Sequence, residues 1–166
     1  LDHYIVRDFE SSMSVLDSII VSVPNVSPLY HFLRAQVRTS QIEAQPMNES
    51  EQRLRYLEIL QDLKYCAASL PDFPYASYNL GNTCMKLKNY DTAVDAYSEA
   101  INRDADMPEA YYNRGVAYIL LGKTEEGLAD LSRAGELGLY QAYNLIIPAA
   151  GKKLNCLFHM ILTEID

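Results

Sequence analysis

Between Pro74 and Leu139 the chain repeats itself. Pro74, Ala76, Tyr78, Asn79, Gly81, Ser98 and Ala100 recur 34 positions later as Pro108, Ala110, Tyr112, Asn113, Gly115, Ser132 and Ala134. A fixed period of this length is the mark of a chain that buries its core by stacking one supersecondary unit on the next. Within each copy the apolar and small residues recur at helical spacing, which predicts helices at about 74–87, 90–103, 108–121 and 124–136. Asn89 and Gly122 mark the turns inside the copies. Gly81 and Gly115 fall on first helices, Ala100 and Ala134 on second helices, where two backbones have to approach closely.

The same register extends outward. Phe9, Met13, Leu16 and Ile20 give a helix over 9–23, and Asp8-Phe9 aligns with Asn89-Tyr90, so residues 1–27 are expected to be the second half of an upstream unit. Pro28 opens the next helix, whose face is Leu29, Phe32, Leu33, Gln36 and Val37, with Ala35 in the small slot of Gly81. From Ala35 to Gly81 the distance is 46 residues rather than 34, so this unit (28–73) holds twelve extra residues near 39–50. They either lengthen both helices or form a loop, and Pro46 favours a break. Ser50 is a candidate N-cap for a helix carrying Leu54, Leu57, Leu60 or Asp62, Leu63 and Ala67, which ends before Pro71. Gln141-Ala142-Tyr143-Asn144 echoes the start of the second copy and begins a terminal segment (142–166). Pro148 and Gly151 interrupt that segment, and Leu154, Leu157, Phe158, Ile161, Leu162 and Ile165 then form an apolar stripe. The stripe either caps the last repeat or docks on a partner, a homodimer included.

The period and slots resemble the tetratricopeptide repeat, a helix-turn-helix unit that stacks into a solenoid. The family pattern of a large residue, Leu-Gly, an aromatic, and later Ala with an aromatic reads Ser77, Leu80, Gly81, Cys84, Ala93 and Tyr97 in the first copy. In the second it reads Tyr111, Arg114, Gly115, Tyr118, Gly127 and Leu131. Ser77 and Arg114 depart from it, and Ala105 and Leu139 stand in the late proline slot. The resemblance implies one all-α domain over 1–166, a right-handed superhelix of antiparallel helix pairs with repeats at 74–107 and 108–141. The run Asp130 to Gly138 followed by Ala142-Tyr143-Asn144 also resembles the close of longer bacterial arrays, often exported ones. That implies a periplasmic or envelope location, and otherwise a cytoplasmic one.

Composition narrows the functions. With 14 Lys plus Arg against 22 Asp plus Glu, the net charge of -8 works against nucleic acid and anionic membrane surfaces. No stretch of 18 apolar residues suggests membrane insertion. His3, His31 and His159 lie in separate elements, no phosphate-cradling glycine loop is present, and neither a catalytic constellation nor a metal or cofactor site is expected. Cys66, Cys84 and Cys156 lack metal-ligand spacing; they are expected as buried small side chains, with a Cys66–Cys84 bridge conceivable in an oxidising compartment.

A stacked array instead offers the face of its first helices. The inward slots are Tyr75, Tyr78, Asn79, Asn82, Met85 and Lys86 in one copy, and Glu109, Tyr112, Asn113, Val116, Ile119 and Leu120 in the other. Tyr78, Asn79, Asn82, Tyr112 and Asn113, with Tyr75 and Glu109 at the edge, are the candidate contacts for an extended peptide. Asparagine amides suit the backbone of such a peptide, or alternatively bond within the array and support packing. In the family's two-carboxylate clamp, lysine and arginine flank an asparagine like Asn79; Glu109 and Asn113 stand in those places here, so an acidic tail is not the expected ligand. A neutral or basic protein segment is.

Overall fold

Pro74 and Pro108 each begin a 13-residue helix, because the N–H that proline lacks has no intrahelical partner in a first turn. The computed structural model describes residues 8–146, which fall into two compact units meeting in sequence at Leu70 and Pro71. The first holds α1 (Phe9–Ser22), α2 (Leu29–Ala44) and α3 (Glu49–Ser69). The second holds α4 (Pro74–Lys86), α5 (Tyr90–Arg103), α6 (Pro108–Leu120), α7 (Thr124–Glu136) and a 3-10 turn, Tyr140–Ala142, that runs into helical residues 143–146. Each helix packs on its sequence neighbour within its unit, and there is no strand among the described residues. The all-α architecture of successive helix pairs is the one the period implies. No described helix is long and apolar enough to cross a membrane.

Of the two forms left open for the twelve extra residues, the helices are lengthened, α2 to 16 and α3 to 21 residues, with the break at Pro46 confined to 45–48. Asn48, not Ser50, caps α3, because its carbonyl oxygen accepts from Glu51 N (2.9 Å) while the Glu51 carboxylate accepts from Asn48 N (3.2 Å). Both donors are thereby satisfied two residues earlier than the serine would place the cap. Cys66 and Cys84 are buried, as expected of small packed side chains, and no disulfide joins them. The stripe of Leu154, Leu157, Phe158 and Ile161, with its capping or dimerising role, lies outside the described residues.

The second unit is held by three close approaches, one of them between Gly135 and the Tyr143 ring, which a Cβ on the glycine would overlap. A Cβ on Gly81 would stand 2.5 Å from the Tyr97 ring, so that ring lies directly on bare α4 backbone. In the next pair a Cβ on Gly115 would meet the Gly127 carbonyl at 2.8 Å, and one on Gly127 the Gly115 carbonyl at 2.7 Å. Each first helix ends in the same cap: Asn89 N bonds to Cys84 O and Lys88 N to Met85 O, as Lys123 N does to Tyr118 O and Gly122 N to Ile119 O. Lys88 holds the left-handed conformation (φ 58°) that Gly122 takes one period later at φ 80°.

Arg114, a departure from the family leucine, is explained by Asp130. Its Nε and Nη2 donate to the two Asp130 oxygens at 2.7 and 2.8 Å, while Nη1 donates to Ser98 Oγ at 2.9 Å. The first unit has the same pair in the same slots, Arg34 Nε and Nη2 donating to Asp62 Oδ2 and Oδ1 at 2.9 and 2.6 Å. The repeat between them has Leu80 and Ala96 there. Asp62, placed by its spacing on an apolar face, is in fact the centre of a charge cluster that also takes Arg38 and the His31 ring. Burial pushes the Asp62 carboxyl up, but the hydrogen bonds from Arg34 and His31 and the charges of Arg34 and Arg38 outweigh it and hold the group below the ordinary carboxylate value. A buried bidentate pair and a small apolar pair are therefore interchangeable here, and half of one is not. Asp130→Ala should cost about 3 kcal/mol by leaving Arg114 unneutralised, whereas Arg114→Leu with Asp130→Ala, which copies Leu80 and Ala96, should recover most of that. Urea unfolding of the two variants and the parent is the check.

Candidate functional site

The close contact of Tyr97 with Gly81 aims the tyrosine hydroxyl past α4 at the first-helix face. Tyr97 is almost wholly buried, and its hydroxyl donates to Asn82 Oδ1 at 2.8 Å. Asn82 Oδ1 also accepts from Asn113 Nδ2 at 3.0 Å, and the same amide nitrogen donates to the Tyr78 hydroxyl at 3.2 Å. Tyr78 leans on the Tyr97 ring, 6.0 Å between centroids, and packs on the cluster of Ala100, Ile101, Met107 and Ala110. One network of two tyrosines and two asparagines thus joins α4, α5 and α6. Burial drives the Tyr97 hydroxyl well above the ordinary phenol value, so it stays a neutral donor. Burial likewise raises Tyr78, and the charge of Glu109 adds to it.

Of the sequence-predicted residues, the structure brings together Tyr78, Asn82 and Asn113, with Glu109 acting on Tyr78 through space. Asn113 therefore bonds within the array, to Asn82 rather than alongside Asn79. Asn79 is half-buried and gives its backbone carbonyl to Thr83 Oγ1 (2.9 Å). Tyr75 is 53% exposed with its ring against Phe73, Tyr112 is half-buried, and Glu109 is exposed in the first turn of α6. One feature escaped the sequence reading and one placement is corrected. Tyr97 was assigned to the aromatic core slot alone, although a long side chain opposite a glycine reaches across the helix. Leu29 and Leu33, placed by spacing on the apolar face of α2, are 43% and 49% exposed. The register set by Ala35 puts them in the slots of Tyr75 and Asn79, which belong to the first-helix face.

A model of the TPR repeat matches residues 81–122, and one of the tetratricopeptide repeat matches 108–137. Residues 81–137 thus carry tetratricopeptide repeats. Among its relatives, Hsp70-Hsp90 organizing protein 2 of Arabidopsis thaliana is 44% identical over 57 residues, 34% of this chain and 10% of that protein. Hsp70-Hsp90 organizing protein 1 of Glycine max is 34% identical over 91 residues, 55% of this chain and 15% of that one. The chain thus spans about a tenth to a seventh of the length of these relatives. Among solved structures, a crystal structure of MamA superposes with a TM-score of 0.73 at 16% identity, covering 95% of this chain and 88% of MamA. MamA 41-end from Desulfovibrio magneticus RS-1 gives 0.66 at 16% identity, covering 81% and 69%. These likenesses show the fold.

The Tyr97 hydroxyl is the buried foot of the network. Tyr97→Phe should cost about 1 kcal/mol, because Asn82 Oδ1 loses a donor in a part-buried position while the ring contact with Gly81 survives. Thermal unfolding, compared with Tyr140→Phe as a surface control, measures it.

Proposed function

We propose that the chain is a non-catalytic binding module that takes an extended protein segment along the first helices of its second unit, α4 and α6. Tyr78, Asn82 and Asn113 form a preorganised floor, and Tyr75, Asn79, Tyr112 and Glu109 stand around it. The observation that carries this reading is the network itself: four polar side chains locked in one arrangement beside the exposed Tyr75 and the half-buried Asn79 and Tyr112. Preorganised side chains lose little entropy on binding, and tyrosine offers wide amphipathic contact for few rotatable bonds. The match of a TPR repeat model and the relatives named as Hsp70-Hsp90 organizing proteins support a protein as the partner. The acidic balance and the Glu109 and Asn113 positions favour a neutral or basic segment over the acidic tails a carboxylate clamp would grip.

A peptide-display selection on the purified chain tests this. One motif should be enriched, and Asn79→Ala, which removes a side chain outside the network, should weaken the selected peptide about fivefold with unchanged melting temperature. Asn79→Ala with Asn113→Ala should weaken it further while helical circular dichroism is kept. Full affinity in the double variant would refute the reading.

A further inference from the structure

Donors and acceptors along this face are unequally spent. An asparagine amide has two N–H donors and one carbonyl acceptor. Asn113 uses its donors within the network, toward the Tyr78 hydroxyl at 3.2 Å and Asn82 Oδ1 at 3.0 Å, while its own carbonyl oxygen receives no hydrogen bond among the described residues. Four residues earlier, one turn away on the same side of α6, the exposed Glu109 carboxylate makes no ion pair among the described residues. The arginines of the unit are engaged elsewhere: Arg114 with Asp130 and Ser98, Arg103 with Glu99 and Ser77, Arg133 with Glu136. The face therefore presents two acceptors one turn apart, one of them charged, beside the half-buried ring of Tyr78.

We infer that this face selects a lysine or arginine of the bound segment, whose N–H groups donate to the Glu109 carboxylate and the Asn113 carbonyl while its stem lies along Tyr78. Only a cationic side chain carries both the charge to meet Glu109 and enough N–H groups to reach a second acceptor one turn away. A carboxylate fails on both counts, since it meets Glu109 as a like charge and finds the Asn113 donors already used. The inference rests on the segment-binding reading above and adds the chemistry of one position to it.

The test runs the display selection in parallel on the parent chain and on Glu109→Gln, an exposed substitution whose fold is checked by melting temperature. The parent should enrich peptides with Lys or Arg at one fixed position, and Glu109→Gln should not. For a selected peptide, exchanging that basic residue for alanine should weaken binding to the parent about fivefold and to Glu109→Gln hardly at all. Rising salt should erode the parent's advantage. An enriched motif with no basic position, or one kept equally by Glu109→Gln, overturns the cation subsite and leaves the segment-binding reading standing. No enriched motif with either protein overturns both.

Discussion

The contact of the Tyr97 ring with the bare backbone of Gly81 is the constraint on which the second unit depends. Without a Cβ at 81 the ring lies flat on α4, and the stem of a tyrosine is long enough to carry its hydroxyl across to Asn82. Asn82 then orients Asn113 from the next repeat, and Asn113 orients Tyr78. Packing, hydrogen bonding and the exposed face are thus successive consequences of one missing side chain. The following pair meets the same need differently: Gly115 and Gly127 let the α6 and α7 backbones themselves approach, and Leu131 fills the place of Tyr97 without a polar tip. A polar network accordingly arises on the α4 side and has no counterpart built on Leu131.

Departures from the family pattern turn out to be paired. Where a serine, Ser77, stands in the large slot, the Arg103 guanidinium reaches its hydroxyl at 3.1 Å. Where Arg114 replaces leucine, Asp130 replaces alanine, and Arg34 with Asp62 does the same in the first unit. A buried arginine is tolerated only with its forked hydrogen bonds answered, so the two slots change together.

The helices and their pairing were legible in the sequence, because a period of 34 places Pro74, Gly81 and Ala100 in slots whose chemistry admits few alternatives. The Arg–Asp coupling was equally present, yet reading each slot alone hid it, and Asp62 passed for a member of an apolar stripe. The cap of α3 was misplaced by two residues, since serine and asparagine both suit an N-cap and only the reciprocal Glu51 bond decides between them. The extra residues of the first unit were ambiguous for a physical reason: proline breaks a helix but sits equally well in a tight turn between two longer ones. Asn113 was read either as a contact residue or as bonding within the array, and which partners take its donors was not legible. That depends on the reach of Tyr78 and Asn82 across a helix pair, which spacing does not encode.

If the Tyr78, Asn82, Tyr97 and Asn113 network is the floor of a binding face, its amides respond when that face is occupied. Side-chain amide NMR during titration with a display-selected peptide reads this. Saturable shifts of the Asn82 and Asn113 amides, with one midpoint and with the Arg34 and Asp62 cluster unmoved, are the predicted result. Saturable binding that leaves both amides in place would contradict it.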